Sequence, residues 1–307
     1  MLWRKKKSAA GGLLGVVLGS RSFGLVAMSQ SGEVSFCTGV DLGGGELARL
    51  LKEQVERNQL HGDVNLVLLP SQYQMLLAEA PDVPDEELAD AMRWRIKDLI
   101  STPLDQVEVD AFLLPDDAYR GRVRMCYAAA VRRDLIESLT ATIKGAGLGL
   151  RYIDLADLAM RNLALQQSLG EQSVATVNLR DRGGLVTVTQ GGQLYMSRSL
   201  QVGFDHINQQ GYGVVDELVL DMQRSLDYYE SQQNKGSVAT ILVSGKHQIE
   251  DQLIEELDRR LAARVVKLDA SAGLRLAEGV DPAQLSRVAL SLGGALRERG
   301  EHVAAAG

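Results

Sequence analysis

The chain has 307 residues, of which 45% are apolar and 24% charged, and this is the composition of an ordinary globular protein. The length suggests about two domains. The net charge of −7 and the aromatic content of 5% argue against a nucleic-acid-binding surface, which would be basic and rich in stacking side chains. Cys37 and Cys126 lack metal-ligand spacing, so we expect two buried, reduced thiols.

The first seven residues (MLWRKKK) are basic, and the apolar run that follows, residues 13–18, is short and interrupted by glycine. A signal peptide and a membrane span both need a longer apolar stretch. We therefore expect a cytoplasmic chain without a membrane span. The basic stub either contacts anionic lipid at the inner membrane or is a solvated tail.

Two segments, residues 13–36 and 174–202, share one pattern of strand, turn, strand, turn, strand. Their strands are rich in Val, Leu and Thr, and their turns carry glycine and serine. A three-stranded unit that recurs once, far along the chain, does not fit a short-period solenoid. The repeat instead indicates a duplicated lobe.

Helical and strand patterns alternate through the rest of the chain, which favours an α/β protein with mixed sheets. In the predicted helix 85–100, Leu88, Met92, Ile96 and Leu99 lie on one apolar face. Trp94 falls outside that face, and we expect it to pack against a neighbouring strand. The other predicted helices cover residues 46–57, 216–232, 248–263 and 282–299. The predicted strands between helices cover residues 64–69, 106–114, 122–131, 148–153 and 239–244.

No catalytic or metal-binding motif is visible in the sequence. The four histidines, His61, His206, His247 and His302, have no carboxylate or cysteine at ligand spacing. The chain contains neither a Walker loop nor a Gly-x-Ser-x-Gly elbow. The glycine-rich turns at residues 19–20 and 182–184 offer backbone N–H groups that could hold an anion.

Several segments together resemble the PilM family of type IV pilus assembly proteins, and most closely its MshI members from the mannose-sensitive haemagglutinin (MSHA) pilus. Residues 5–7 and 14–20 are similar to the family's basic stub followed by LLGIDIGSSSVK. Further similar segments follow in the family's order along nearly the whole chain. They are residues 84–100, 107–114, 144–147, 153–155, 224–231 (RSLDYYES), 241–245 (ILVSG) and 292–297 (LGGALR).

This resemblance implies an actin-like ATPase fold, with ribonuclease H-like duplicated lobes and an FtsA/PilM-type inserted subdomain. The first lobe would comprise residues 1–69 and 148–173, the inserted subdomain residues 70–147, and the second lobe residues 174–307. The implied role is a cytoplasmic scaffold of MSHA or type IV pilus biogenesis, peripheral at the inner membrane. It would bind the cytoplasmic tail of a PilN-like partner (MshJ in the MSHA system), other pilus components and its own copies. Candidate partner contacts are Tyr73, Met75, Trp94 and Phe112.

The chain departs from the family where nucleotide chemistry is expected. Val17 and Asn178 replace the two loop aspartates that would orient magnesium. Gly24 replaces a lysine or similar polar residue, and Lys246 replaces the second glycine of the adenosine motif. Without the metal, the main charge stabilisation of phosphoryl transfer is lost. We therefore expect a degenerate pocket with no catalytic residue, no metal and no ATP hydrolysis. Its positions are Val17, Gly19, Ser20, Asn178, Arg180, Gly183, Gly245 and Lys246.

Other interpretations remain open from the sequence. Asp181 is close enough in sequence to act as a substitute metal ligand. Arg21, Arg180 and Arg182 lie in the two loops and could bind a phosphate without metal, so ATP stays a candidate ligand. The alternatives for function are an active PilM- or FtsA-type ATPase, a relative of the cytoplasmic part of the type II secretion protein GspL, or a sugar or acid kinase.

Overall fold

Glycine-containing turns and β-branched strands build the first sheet. The computed structural model describes residues 12–121, 123–167, 169–232 and 236–298, so the basic stub and His302 lie outside the described residues. Six strands form this sheet in the order β14-β3-β2-β1-β4-β8. They are β1 (Leu13–Leu18), β2 (Ser22–Met28), β3 (Glu33–Asp41), β4 (Asp63–Leu68), β8 (Gly149–Leu155) and β14 (Arg275–Leu276).

The second sheet repeats this arrangement in the order β11-β10-β9-β12-β13. Its strands are β9 (Val174–Arg180), β10 (Gly183–Gln190), β11 (Gln193–Leu200), β12 (Thr240–Gly245) and β13 (Arg264–Lys267). In each sheet the first three strands form an antiparallel meander, and the next strand pairs in parallel with the first. The predicted duplication of lobes is therefore confirmed.

A third, antiparallel sheet is inserted between β4 and β8, in the order β5-β7-β6. It consists of β5 (Tyr73–Glu79), β6 (Val107–Leu113) and β7 (Met125–Arg132). Helix α2 (Leu88–Arg95) covers one face, where Leu88, Met92 and Ile96 pack against alternate residues of the strands. The opposite face contributes Met75 and Phe112 to the cores of the two lobes.

The remaining helices flank the sheets, and the last one packs on the first lobe. They are α1 (Leu47–Arg57), α3 (Arg133–Gly145), α4 (Ala156–Gln166), α5 (Phe204–Gln210), α6 (Val215–Gln232), α7 (Asp251–Arg260), α8 (Pro282–Arg287) and α9 (Ala289–Ala295). Helix α9 comes so close to β1 that a Cβ atom on Gly15 would lie 1.7 Å from the Ser291 carbonyl oxygen. Glycine at position 15 is therefore required for this contact.

Three expectations from the sequence need correction. The predicted helix 282–299 is broken at Val288 into α8 and α9. Helix α2 ends at Arg95, and Leu99 of the predicted apolar face is exposed. Trp94 is 70% exposed and does not pack against a neighbouring strand, because the inserted sheet already contacts the other side of α2.

Both cysteines are buried as expected, and this burial raises the pKa of each thiol to about 11. Within the described ranges, no helix is both long and apolar enough to span a bilayer. The division of the chain at residues 69, 147 and 173 stays a prediction, although helix α3 after the inserted sheet packs its apolar face into the core of the first lobe.

Candidate functional site: the cleft between the lobes

Two equivalent turns face each other across a cleft between the lobes. In the first lobe, the turn between β1 and β2 is closed by a hydrogen bond from the Gly19 amide to the Ser22 carbonyl, at 2.9 Å. Arg21 extends from this turn to the second lobe. Its guanidinium donates to Asp205 at 3.0 Å and lies 3.7 Å from Asp181, in the turn between β9 and β10. Arg21 therefore joins the first turn to the second turn through Asp181 and to helix α5 through Asp205.

Asp181 is the centre of this network. Lys246, directly after β12, donates from Nζ to Asp181 at 3.0 Å and lies 3.4 Å from Asp41 of the first lobe. His247 Nε2 lies 2.9 Å from the other Asp181 oxygen. Burial alone would raise the pKa of Asp181, but the hydrogen bonds and charges of Lys246 and His247 lower it overall. The Asp181 carboxylate therefore stays ionised, and Lys246 and His247 each bond one of its two oxygens.

A cavity of about 150 Å³ opens beneath this network. Four of the predicted positions line it: Val17, Asn178, Arg180 and Lys246. Residues from helices α8 and α9 complete the wall on the first-lobe side. The further lining residues used below are Gly24, Asp41, Arg287 and Ser291.

A second cavity, of about 510 Å³, lies beside the first and shares Ser22 and Arg180 with it. Gly19, Ser20 and Gly183 of the predicted set line this second cavity, together with Arg21 and Arg182. Gly245 lines neither cavity. A Cβ atom there would lie 2.8 Å from the Phe204 ring, so Gly245 allows close packing of α5 against β12.

A separate groove of about 260 Å³ lies where the inserted sheet meets the first lobe. Edge strand β6 contributes Phe112 and Leu113, edge strand β8 contributes Ile153 and Leu155, and α4 contributes Leu158. Beneath the groove, the Arg297 guanidinium pairs with the buried carboxylate of Asp154 at 2.9 Å. The groove therefore has apolar walls, and the charges of Arg297 and Asp154 at its base neutralise each other.

The structure separates the four candidate partner residues. Phe112 lines the groove and packs against Tyr127, with ring centroids 5.8 Å apart. Tyr73 donates its hydroxyl to the buried Asp157, and Met75 packs between the two lobe cores. Trp94 lies on the far side of the inserted sheet, on an open surface formed with Arg93 and Lys97.

This arrangement of lobes is found in several solved structures. A PilM–PilN type IV pilus biogenesis complex matches with a TM-score of 0.78 and 17% identity, over 94% of this chain and 99% of that chain. A Bacteroides thetaiotaomicron protein described as having an actin-like ATPase fold matches with a TM-score of 0.53 and 11% identity, over 83% and 90%. The present chain has an actin-like ATPase fold. The predicted fold class is thus confirmed.

The same actin-like fold occurs in the cytoplasmic domain of EpsL, an inner-membrane component of the Vibrio cholerae type II secretion system. That domain matches with a TM-score of 0.52 and 14% identity, over 90% of this chain and 93% of that chain. No protein-family model matches the sequence, and no curated protein matches it either. At these identities the likeness concerns the fold alone.

The cleft of this actin-like fold does not fit a magnesium-bound nucleotide. Val17 presents only an alkyl group, and the amide of Asn178 is held by Ser244. The carboxylates that line the two cavities, Asp41 and Asp181, both lie within ion-pair distance of Lys246. Magnesium needs one or two free carboxylates beside the phosphates. In the described part of the chain, no group of three His, Cys, Asp or Glu side chains has metal-binding geometry.

Sequence reasoning missed the cleft residues that come from the end of the chain. Ser291 lines the smaller cavity because α9 packs onto β1 and against α4, and Arg287 lines it from the end of α8. The one local signal is Gly293-Gly294 within a helix, a pair that indicates close packing. A Cβ atom on Gly293 would lie 2.2 Å from the Ala159 carbonyl oxygen. That signal predicts a close helix contact but not its partner.

Proposed function

We propose that this protein is a scaffold of a type IV pilus or related secretion system, which binds the cytoplasmic tail of a PilN-like membrane protein. The groove between β6 and β8 is the observation that carries the proposal. Support comes from the fold shared with the PilM–PilN complex and with the cytoplasmic domain of EpsL. In this role the chain works in the cytoplasm, peripherally at the inner membrane. The partner is MshJ if the system is of the MSHA type.

The groove has the features of a site for an extended peptide. Strands β6 and β8 are each at the edge of a sheet, and an edge strand presents unpaired backbone N–H and C=O groups. A peptide that adds to such an edge gains main-chain hydrogen bonds, while side-chain pockets select its sequence. Phe112 and Leu158 supply an apolar pocket of this kind, and the charged side chains of Asp110 and Arg161 line the same groove.

The proposal includes the absence of ATP hydrolysis. Val17 and Asn178 supply no carboxylate for magnesium, and Lys246 holds the nearby Asp181. Phosphoryl transfer depends almost wholly on positioning and on charge stabilisation by the metal. The active ATPase therefore ranks below the scaffold. Other pilus components and further copies of the chain remain candidate partners in addition to the membrane tail.

Peptide binding tests the groove directly. Fluorescence anisotropy would measure the affinity of the purified chain for a labelled peptide from the cytoplasmic tail of its PilN-like partner. Phe112→Ala removes an apolar wall, and Arg161→Glu reverses a charge and removes the hydrogen bond from Arg161 to Asn162. We expect each substitution to weaken binding by about tenfold or more, as for a residue at the centre of an interface.

Trp94→Ala is the matched control, because this side chain is exposed on the other side of the inserted sheet. Its affinity should equal that of the unchanged protein. Loss of binding in the Trp94 variant, with normal binding in both groove variants, would place the peptide on the α2 surface instead. Failure of the pilus peptide, with binding of a type II secretion peptide, would favour the GspL-like alternative.

A further inference from the structure

The orientation of the Asn178 side chain is fixed by its neighbours. The Ser244 hydroxyl donates to the Val177 carbonyl at 3.2 Å, so its oxygen is left to accept a hydrogen bond. The Asn178 amide nitrogen donates to that oxygen at 3.0 Å. The Asn178 carbonyl oxygen, Oδ1, is consequently the free atom. It is buried, and within the described residues it has no hydrogen-bond partner.

A second unpartnered polar atom lies on another wall of the same cavity. The hydroxyl of Ser291, on α9, is buried and has no partner among the described residues. A Cβ atom on Gly24 would lie 2.7 Å from this hydroxyl, so the glycine leaves it room. A buried polar group without a partner is destabilising, because it loses its hydrogen bonds to water without replacing them. Two such atoms in one cavity therefore make it suited to a polar ligand.

The cations around the cavity differ in whether they are already paired. Arg21 and Arg182 lie within ion-pair distance of Asp205, and Lys246 is paired with Asp181. The Arg180 guanidinium has no carboxylate within ion-pair distance in the described ranges. Burial lowers the pKa of Arg180 to about 10, which leaves it charged at neutral pH. Arg287 lines the same cavity. The site thus holds positive charge that its own carboxylates do not neutralise.

We propose that the smaller cavity between the lobes binds a phosphate-bearing anion without a divalent cation. Arg180 and Arg287 contact the anion, while Asn178 Oδ1 accepts a hydrogen bond from a hydroxyl or amino group of the same ligand. Ser291 donates to it or accepts from it. A guanidinium binds phosphate through two parallel hydrogen bonds, so no metal is needed for affinity.

The size of the cavity limits what it can hold. Its volume of about 150 Å³ is several times the roughly 10–15 Å³ that a single water molecule requires. It admits a phosphate-sized group, and a larger ligand extends past Arg180 into the cavity of about 510 Å³. Inorganic phosphate keeps one P–OH at neutral pH, so it is the smallest probe that combines the anion with a donor.

Titration calorimetry of the full chain tests this site with inorganic phosphate and, separately, with ATP. Each titration is made in EDTA and again in excess Mg²⁺. We expect at least one of the two probes to bind in EDTA, with an affinity that Mg²⁺ does not increase. Absence of binding by both probes, or binding that requires Mg²⁺, would overturn the proposal. Binding of ATP alone would assign the site to a nucleotide, and binding of both to the phosphate group.

Two substitutions locate the ligand. Arg180→Ala removes the unpaired cation, and Asn178→Asp keeps the side-chain shape while adding a negative charge that repels an anion. Each should weaken metal-independent binding by about tenfold or more, as for a lost charge-assisted contact. Arg57→Ala, on the exposed end of α1, is the matched control and should bind normally. Unchanged binding by the folded Asn178→Asp variant would contradict the assigned contact.

Discussion

Lys246 donates to Asp181 at 3.0 Å and thereby fixes the carboxylate in the turn between β9 and β10. The resemblance to PilM places a glycine where this lysine stands. The lysine also lies 3.4 Å from Asp41 in the first lobe, so a single side chain connects β12, the turn between β9 and β10, and β3. Lysine at position 246 therefore does more than replace a glycine of the nucleotide motif, because its side chain also forms contacts across the cleft.

Lys246→Met should make the stability of the protein less dependent on pH. The pKa of Asp181 is lowered in the folded state, so its contribution to stability is present above the unfolded value of about 3.9 and is lost as pH falls through the folded value. We expect the variant to lose about 1 kcal/mol of unfolding free energy at pH 7, and less at pH 3. Urea unfolding at both pH values measures this difference.

The control for this experiment is Lys52→Met, because Lys52 pairs with Glu56 on an exposed helix surface. Such a pair contributes less than about 0.5 kcal/mol. Equal losses at pH 7 and pH 3 in the Lys246 variant would show that the lysine acts through packing and not through its charge.

Tyr73→Phe should loosen the junction of the three sheets. The Tyr73 hydroxyl from the inserted sheet and the Ser197 hydroxyl from the second lobe both donate to Asp157 of α4. Asp157 is buried, and this burial raises its pKa. Loss of one donor should lower the unfolding free energy by about 1–3 kcal/mol, as measured by urea denaturation.

Tyr119→Phe serves as the comparison, since Tyr119 bonds a neutral partner, the Tyr228 hydroxyl, at 3.0 Å. The Tyr119→Phe variant should lose less unfolding free energy, at most about 1 kcal/mol. Equal losses of unfolding free energy in the two variants would contradict a larger contribution from the hydrogen bond between Tyr73 and Asp157.

Local patterns were sufficient to predict the two meanders and three of the four residues on the apolar face around α2. Leu88, Met92 and Ile96 recur at helical spacing and are all buried against the inserted sheet. The exposure of Trp94 could not be predicted from such a pattern. Its exposure depends on which sheet covers α2, and a single helix pattern contains no information about that partner.

The candidate site was predictable only in part. Val17, Asn178 and Arg180 lie together because equivalent turns of a duplicated lobe must face each other. Ser291 reaches the same cavity through long-range packing of α9 on Gly15, which no local pattern specifies. The break of the last helix at Val288 was missed for a related reason, since the residues around it are ordinary helix formers and tertiary contacts decide the geometry.

Arg297→Met should be strongly destabilising. The guanidinium pairs with the buried Asp154 at 2.9 Å and lies over the Tyr152 ring, 4.5 Å from its centroid. Removal of the guanidinium leaves the buried charge of Asp154 without its cationic partner. The unfolding free energy should fall by about 3–5 kcal/mol. Thermal unfolding of this variant and of the double variant with Asp154→Leu forms the test. The double variant should be more stable than the single one, and the reverse order would contradict a charge-based role.

Gly15→Ala and Gly145→Ala should change stability in opposite directions. A Cβ atom on Gly15 would collide with the backbone of α9, so we expect a loss of at least about 2 kcal/mol. Gly145 closes α3 and has open space around its Cβ position, so alanine should stabilise the helix by about 0.5–1 kcal/mol. Chemical denaturation of both variants decides this, and a neutral Gly15→Ala would mean that α9 does not rest on β1.

The most direct test of the scaffold proposal is the affinity for the partner tail peptide, measured by anisotropy with and without saturating ATP and Mg²⁺. A nucleotide that binds the peptide-free and peptide-bound protein equally well shifts nothing, so the dissociation constant should agree within about twofold. No phosphate should be released from ATP during the measurement. Peptide binding that appears only with ATP and Mg²⁺, together with hydrolysis, would show a working ATPase and contradict the account.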